Sequence, residues 1–393
     1  MIVTHLSLTD FRNYRTAEVP LAEGSNLFVG SNGQGKTNLV ESLAYLSTLG
    51  SHRVSVDHAM IRQGSDSAII RARLEHGERR ILAEVQLNRS APNRAQVNRS
   101  VIKTRELPRY FSSVLFAPED LALIRADPAG RRRFLDEMLV LRSPRISGVI
   151  ADYERVVRQR NTLLKSARSS GVKGEKLATL DIWDERLVAL GSQIIEARTT
   201  LVAELAPEVV SAYTSVAGED HHPALTNHLS IFGAWSGVDG REESMDSGEM
   251  SNVRLTAADA AVAFREALGQ RRRNEFERGI TLVGPHRDDL ILDLNSLPAR
   301  GYASHGESWS FALALKLASA VLLRRDSSTG DPVLMLDDVF AELDEARRGR
   351  LATAVGDFEQ VLITAAVFGD VPRELTGNTV HISRGTIVDA EAL

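Results

Sequence analysis

The chain has 393 residues, 43% of them apolar, so it can bury one large core or two ordinary ones, and disorder is excluded for most of its length. It contains no cysteine, which removes disulfides, thiolate metal sites and cysteine nucleophiles. A formal net charge of −5 means that the molecule as a whole does not attract polyanions, so any nucleic-acid binding has to come from local basic faces. The first residues, Met1 to Leu6, lack a basic and apolar leader, and no later stretch reaches spanning length; a cytoplasmic protein with no membrane partner is expected.

In chain order, residues 1–125 alternate short β-branched runs (Ile2-Val3, Leu27 to Val29, Ala68 to Ala72, Ile81 to Leu87) with turn residues and one helix after Gly35, an α/β or α+β pattern. From about Arg131 to Tyr213 apolar residues fall three and four apart, at Ile146, Ile150, Tyr153, Val157 and Leu164, then at Trp183, Leu187, Leu190, Ile194, Leu201 and Leu205. That spacing predicts two long amphipathic helices, each roughly 40 Å if about 25 residues long, with the serine- and glycine-rich stretch Ser166 to Gly174 as the loop between them. They form either a projecting arm or an ordinary packed bundle. Trp235 to Asn252 reads as a polar surface loop, after which Thr256 caps a helix reaching about Phe276. Strand patterns return at Ile280 to Val283 and Leu290 to Leu294, followed by a helix over Ser308 to Leu323 and a strand over Val333 to Leu336. The order fits an α/β head made by both ends of the chain, 1–125 and 279–393, with a helical insertion at 126–278.

Gly30-Ser31-Asn32-Gly33-Gln34-Gly35-Lys36-Thr37 fits the phosphate-binding P-loop, with apolar Leu27-Phe28-Val29 before it and a helix opened by Asn38 after it. The glycines let backbone N–H groups turn toward the phosphates of ATP, the helix start adds partial positive charge, Lys36 neutralises the β/γ oxygens and Thr37 offers a hydroxyl to Mg²⁺. The second half of the site is Val333 to Asp338, a buried-strand run ending in two carboxylates. There Asp337 is placed to hold Mg²⁺ directly or through water, and Asp338 to orient or deprotonate the attacking water. A strand end capped by an acidic turn is the plainer alternative.

What surrounds these motifs resembles the ABC-type ATPases. Ala341-Glu342-Leu343-Asp344 resembles the D-loop, and Ser304-His305-Gly306-Glu307-Ser308, ahead of a helix, looks like a divergent signature motif, although alone it is also an ordinary capped helix start. The resemblance implies that Ser304, Gly306, Glu307 and Asp344 face the γ-phosphate on a second copy, with two ATP molecules sandwiched in a head-to-head dimer. Phe116-Ala117-Pro118-Glu119-Asp120 stands in the place of the Q-loop with a carboxylate instead of glutamine, which assigns Glu119 to Mg²⁺ or water. Ala365 stands where many ABC proteins carry a switch histidine, and this departure suggests slow hydrolysis.

Four further motifs, Asp10-Phe11-Arg12-Asn13-Tyr14, Leu49-Gly50-Ser51-His52-Arg53, Arg131 to Asp136 and Gly284-Pro285-His286-Arg287-Asp288-Asp289-Leu290, are similar to those of the RecF family and span the chain. The resemblance implies an SMC-like head with a short helical lobe, a weak DNA-stimulated ATPase, and ATP-dependent dimerisation on DNA. It also implies a role with RecO and RecR in loading RecA at single-strand gaps during repair, replication restart and SOS induction. A nucleotide-gated scaffold with incidental hydrolysis is the competing reading. Arg12, Arg15, Arg53, Arg131 to Arg133, Arg158, Arg160, Lys165 and Arg271 to Arg273 are candidate contacts to single-stranded, gapped or duplex DNA phosphates, read without sequence preference; each is also readable as a solvated charge or half of an ion pair. His286 and Arg287 either link the nucleotide to the helical lobe or form a structural corner.

Overall fold

β1 (Ile2–Phe11) buries Val3, Leu6, Leu8 and Phe11, an alternation broken first where a bulge between Val3 and His5 shifts its register against β4 (Ser67–His76) and again before Phe11, where Asp10 has φ +48°. In this computed structural model, which describes residues 1–169, 178–233 and 254–388, these strands belong to an antiparallel sheet. Its order is β2-β1-β4-β5-β6-β7, with β2 (Tyr14–Pro20), β5 (Arg79–Asn88), β6 (Arg94–Val97) and β7 (Ser100–Ile102).

A second six-stranded sheet has the order β15-β14-β3-β13-β12-β8, from β3 (Gly24–Val29), β8 (Ser113–Phe116), β12 (Val333–Asp337), β13 (Gln360–Ala365), β14 (Asn378–Ser383) and β15 (Thr386–Val388). All its pairings are parallel except that of β15. Every residue of β12 and β13 is buried, the expected composition of parallel strands covered on both faces. Helix α1 (Lys36–Thr48) buries Leu39, Val40, Leu43, Tyr45 and Leu46 in one apolar core with residues of both sheets.

The chain divides into two compact units. Unit 1 is Met1–Arg125, Glu208–Pro223 and Gly301–Leu393; unit 2 is Ala126–Pro207 and Ala224–Arg300. The sequence-based boundary at 278 differs from this division: 279–300 fall in unit 2, because β10 (Asp289–Leu294) pairs with β9 (Ala224–His228) and β11 (Leu297–Pro298). Residues 208–223 fall in unit 1 and include the last turns of α5 (Ala178–Ala217). Unit 1 also holds α2 (Leu121–Arg125), α8 (His305–Asp326) and α9 (Glu345–Val355); unit 2 holds α3 (Pro128–Arg142), α4 (Ile146–Ser169) and α6 (Ala257–Arg278); the short α7 (Ala299–Tyr302) lies at their boundary. Among the described residues only α8 is long and apolar enough to cross a membrane, and 78% of its apolar window is buried, as in a core helix.

The two long helices run further than their apolar patterns, and Thr256 caps α6 by accepting the Asp259 N–H. The loop expected at 166–174 and the one at 235–252 lie largely or wholly outside the described residues, apart from Ser166 to Ser169, which continue α4. Ile280 to Val283 is not a strand, contrary to expectation. Val283 is buried and Ile280 and Leu282 are partly so, but Thr281 N–H donates to Asn161 Oδ1 at 2.7 Å and Leu282 N–H to Glu275 Oε1 at 2.8 Å, so side chains take the bonds that a neighbouring strand would.

Unit 2 is braced by buried arginines. Arg160 is fully buried and donates to Asp184 on α5 at 2.7 Å, to Glu275 on α6 at 2.6 Å and to Thr281 at 3.0 Å. Removing one partner from such a cluster costs about 3–5 kcal/mol, since a charge is left unpaired in the interior. Arg198 grips Asp136 with two bonds, and Arg131 grips Asp289 likewise. Arg131 and Arg160 are therefore buried as well as engaged by carboxylates, contrary to their reading as DNA contacts, and Arg12 is held in the same way by Glu41 of unit 1.

The segment Gly284 to Asp289 is a corner on which two of these braces meet, Arg198 at the Pro285 carbonyl and Arg131 at Asp289. Gly284 has φ +123°, and a Cβ there would stand 2.4 Å from the Tyr153 hydroxyl. His286 Nε2 faces the Thr281 carbonyl at 3.3 Å and Nδ1 faces the Tyr153 hydroxyl at 2.8 Å. A neutral imidazole satisfies both, with Nε2–H donating and Nδ1 accepting. Burial, then the nearby Arg287 charge, pushes its pKa down to about 3. The unfolded chain therefore takes up a proton below about pH 6.5 that the folded chain refuses, and the stability this neutral ring contributes is lost as pH falls from 6.5 toward 3. Between pH 6.5 and 5 the urea-unfolding free energy of unit 2 is expected to fall about 1 kcal/mol per pH unit more steeply in the wild type than in His286→Asn; equal slopes would contradict the assignment.

Candidate functional site

The parallel register sets the site. β13 lies between β3 and β12, pairing Ala365 with Val29 and Thr364 with Asp337, so the loop after β3 and the two acids after β12 emerge at one sheet edge. β8 pairs with β12 on its other side, and Glu119 follows it by three residues on a 3₁₀ turn, Pro118–Asp120.

Residues Gly30 to Gly35 form the turn from β3 into α1. Gly35 has φ +117°, and a Cβ there would come within 2.7 Å of Asn13 Nδ2 and of the Tyr14 hydroxyl; one on Gly30 would stand 2.3 Å from the Ile382 carbonyl oxygen. Both positions are glycine because no side chain fits. Asn13 Nδ2 donates to the Gln34 carbonyl at 3.0 Å, and Gly385 N–H donates to the same carbonyl, also at 3.0 Å. Asn38 Nδ2 donates to Asn13 Oδ1 at 2.7 Å. Ser31, Asn32 and Gly33 are partly or fully exposed on the outer side of the turn. Lys36 Nζ donates to the carbonyls of Gly30 at 2.7 Å and Ser31 at 3.3 Å, which holds its charge inside the loop where a phosphate would sit.

Asp337 Oδ1 accepts from the Thr37 hydroxyl at 2.9 Å and the Thr364 hydroxyl at 2.6 Å, and Thr364 in turn accepts the Asp338 N–H at 2.9 Å. Burial pushes the Asp337 carboxyl up to about 6; the two hydroxyls oppose this, and the like charges of Asp338 and Glu119 add to it. A site that raises a carboxylate this way favours a cation. Its donors, a threonine hydroxyl and a carboxylate, are hard oxygens of the kind Mg²⁺ takes together with phosphate oxygens and water. No group of three or more His, Asp or Glu side chains suited to a metal exists among the described residues. Thr37 and Asp337 fit that ion. Asp338 has a left-handed backbone, φ +51°, and a buried Oδ1 with no hydrogen-bond partner among the described residues.

The motifs flanking the P-loop prove to be its scaffold. Glu41, fully buried in α1, accepts two bonds from Arg12, at 2.8 and 2.5 Å, and one from Ser51 at 2.5 Å. Burial works against its charge, yet these donors hold its carboxyl below the usual range. Arg53 donates to Asn38 Oδ1 at 2.9 Å. Between Ser51 and Arg53, the His52 side chain is 15% exposed and turns toward the acids, with Nε2 3.9 Å from Asp337 Oδ2. Both its ring nitrogens are buried without a hydrogen-bond partner among the described residues, a cost of about 1–3 kcal/mol per polar group that folding alone does not recover. Burial pushes its pKa down to about 4, so the ring is neutral. The sequence marks His52 only as a member of a motif and gives no sign of its place beside the acids. It is silent on Thr364 as well, because only the register of β13 against β12 reveals it; Glu41 had a readable signal, a lone acid within an apolar helix.

The remaining predicted residues lie apart from this cluster. Ser304 caps α8: its hydroxyl accepts the Glu307 N–H at 3.3 Å while Glu307 Oε2 accepts the Ser304 N–H at 2.7 Å. Asp344 caps α9 by accepting the Arg347 N–H at 2.9 Å. Arg347 lies beneath Gly306, where a Cβ would meet its guanidinium at 2.7 Å. No hydrogen bond or ion pair among the described residues joins residues 304–308 to 30–38.

The sequence profile of the RecF/RecN/SMC N-terminal domain family matches residues 2–370. The DNA replication and repair protein RecF of Clavibacter michiganensis subsp. michiganensis is 66% identical over 393 residues, covering 100% of this chain and 97% of that protein, and its counterpart in Streptomyces avermitilis is 51% identical, covering 98% and 99%. A solved structure of the recombination mediator protein RecF with ATP, of the RecFOR pathway, is 25% identical with a TM-score of 0.83 and covers 98% of this chain and 96% of that one. The Smc head domain of Pyrococcus furiosus, 13% identical, shares the fold at a TM-score of 0.51, covering 98% and 94%. The two joined sheets, the phosphate loop at their edge and full-length identity of this order establish that the chain belongs to the RecF family and has its ABC-type ATPase fold.

Proposed function

We propose that this chain binds ATP between Gly30 and Asn38, pairs with a second copy through that nucleotide on DNA, and hydrolyses it slowly to release the pair. The observation that carries the reading is the convergence of Lys36, Thr37, Asp337 and Asp338 at one edge of the parallel sheet. When ATP enters, Lys36 exchanges the Gly30 and Ser31 carbonyls for β/γ oxygens, and the loop N–H groups take the rest. Thr37 and Asp337 would hold Mg²⁺, which when bound would supply positive charge against the oxygens of the transferred phosphoryl group. Asp338, with an unengaged carboxylate oxygen, accepts the proton of the attacking water, and Glu119 adds a water contact at the rim. Ser304, Gly306 and Glu307 at the start of α8, with Asp344 beside them, face the γ-phosphate bound to the other copy.

The partners follow from the family: duplex, gapped or single-stranded DNA, and RecO and RecR, with which the pair promotes RecA loading in the cytoplasm during repair, replication restart and SOS induction. The exposed candidates for phosphate contact are Arg15, Arg53, Arg133, Arg158 (68% exposed), Lys165 and Arg273 (88% exposed). Ala365, at the end of β13 beside the P-loop strand, favours a second reading in which ATP mainly gates assembly and hydrolysis is incidental.

Lys36→Ala is expected to abolish binding of a fluorescent ATP analogue, whereas Asp338→Asn keeps binding and lowers turnover 10²–10⁴-fold; intact turnover in Asp338→Asn would refute the catalytic assignment. In sedimentation, Asp338→Asn with ATP should run as a dimer and with ADP as a monomer, and Gly306→Asp should stay monomeric while still binding ATP. A monomer under every condition removes the pairing. Affinity for gapped duplex should fall steeply with salt, and replacing Arg158, Lys165 and Arg273 by alanine should flatten the slope of log K against log salt by about 0.9 for each phosphate no longer neutralised. An unchanged slope would place the DNA elsewhere.

A further inference from the structure

His52, with both ring nitrogens buried, stands at this edge and is not used by the reaction above. Its neighbours fix it from both sides: Ser51 bonds Glu41 and accepts the Arg53 N–H at 3.0 Å and the Val54 N–H at 3.2 Å, and Arg53 reaches Asn38. The ring is thereby held on the P-loop helix and has no competing hydrogen bond among the described residues. Asp337 Oδ1 is taken by two threonine hydroxyls, while its Oδ2 faces His52 Nε2 at 3.9 Å, a separation that one water or a small movement closes to a hydrogen bond. Ligating carboxylates ordinarily carry such a second donor, which fixes the angle at which they meet the ion.

We propose that His52 is a positioning residue that donates through Nε2–H, directly or through one water, to Asp337 Oδ2 and so orients that carboxylate toward Mg²⁺. The inference rests on the phosphate-site reading above and deepens it. It makes the segment 51–53 a link between Glu41 of α1 and the acid at the end of β12, two elements already joined at the site by the Thr37–Asp337 hydrogen bond. An imidazole is suited to this because, when neutral, it offers one donor and needs no counter-charge beside two carboxylates. Direct ligation of Mg²⁺ by the ring is disfavoured by the preference of that ion for oxygen.

The test titrates Mg²⁺ into full-length protein preloaded with a fluorescent ATP analogue and reads the metal-dependent signal change, with turnover measured in parallel. His52→Ala is expected to raise the Mg²⁺ concentration for half-saturation about tenfold or more, with metal-free nucleotide affinity unchanged. His52→Gln, whose amide nitrogen reaches the place of Nε2, should recover most of the loss; His52→Asn, whose amide reaches only the place of Nδ1, should not. A purely structural role would instead lower the nucleotide-free melting temperature of all three variants without separating glutamine from asparagine, and that result overturns the inference. So does Mg²⁺ half-saturation within twofold of wild type in His52→Ala. If the wild type shows no Mg²⁺-dependent signal, or Lys36→Ala retains it, the phosphate-site reading itself has failed.

Discussion

The parallel pairing of β13 between β3 and β12 is the constraint on which the rest of unit 1 depends. Side chains alternate along a strand with period two, so a one-residue slip of β13 would turn Thr364 away from Asp337 and Asp338. The slip is resisted by burial on both faces of the strand, where every residue from Gln360 to Ala365 is covered. Gln360 adds a polar lock at the other end, exchanging hydrogen bonds with the backbone of Val3 at 2.8 Å in each direction. The geometry of the candidate site is thereby an output of sheet register, and the loops only complete it.

A second theme is that charge in this protein is spent inside. Glu41, Asp289, Glu275 and Asp136 each hold an arginine, and three of those arginines stand in motifs that could equally have addressed phosphates. Burying such pairs gives little net stability, because desolvation offsets attraction, but leaving one half alone is costly. The pairs therefore act as fixed joints. Arg12 on Glu41 sets α1 against the first sheet, and Arg160 on Asp184 and Glu275 ties three helices of unit 2 at a single guanidinium.

What the sequence made legible follows from how local each signal is. The P-loop, the Asp337-Asp338 pair and the capping box at Ser304 are short patterns whose physics is contained in a few neighbouring residues, and all three lie where those patterns put them. The long helices were legible from spacing, although α5 continues beyond the last residue of its apolar stripe. The fate of the arginines was not, because Arg12 and Glu41 stand 29 residues apart, and Arg131 and Asp289 stand 158 apart. Ile280 to Val283 departs from its strand pattern for a related reason: apolar content shows burial but not which groups satisfy the backbone, and here Asn161 and Glu275 do so. The place of His52 was hidden because nothing in its local sequence relates it to a strand end some 285 residues later.

In the proposed reading the two half-sites differ in how much they must change to receive a nucleotide. The starts of α8 and α9 are closed locally, Ser304 with Glu307 and Asp344 with Arg347, so their shape is preset in a single chain and pairing requires no ordering of those turns. The phosphate loop is the opposite case, since Lys36 is committed to Gly30 and Ser31 and has to be released by a competing anion. In the proposed assembly this asymmetry makes nucleotide entry the controlling step. A rigid receiver waits on every copy, and what varies with ATP is only the face presented to it.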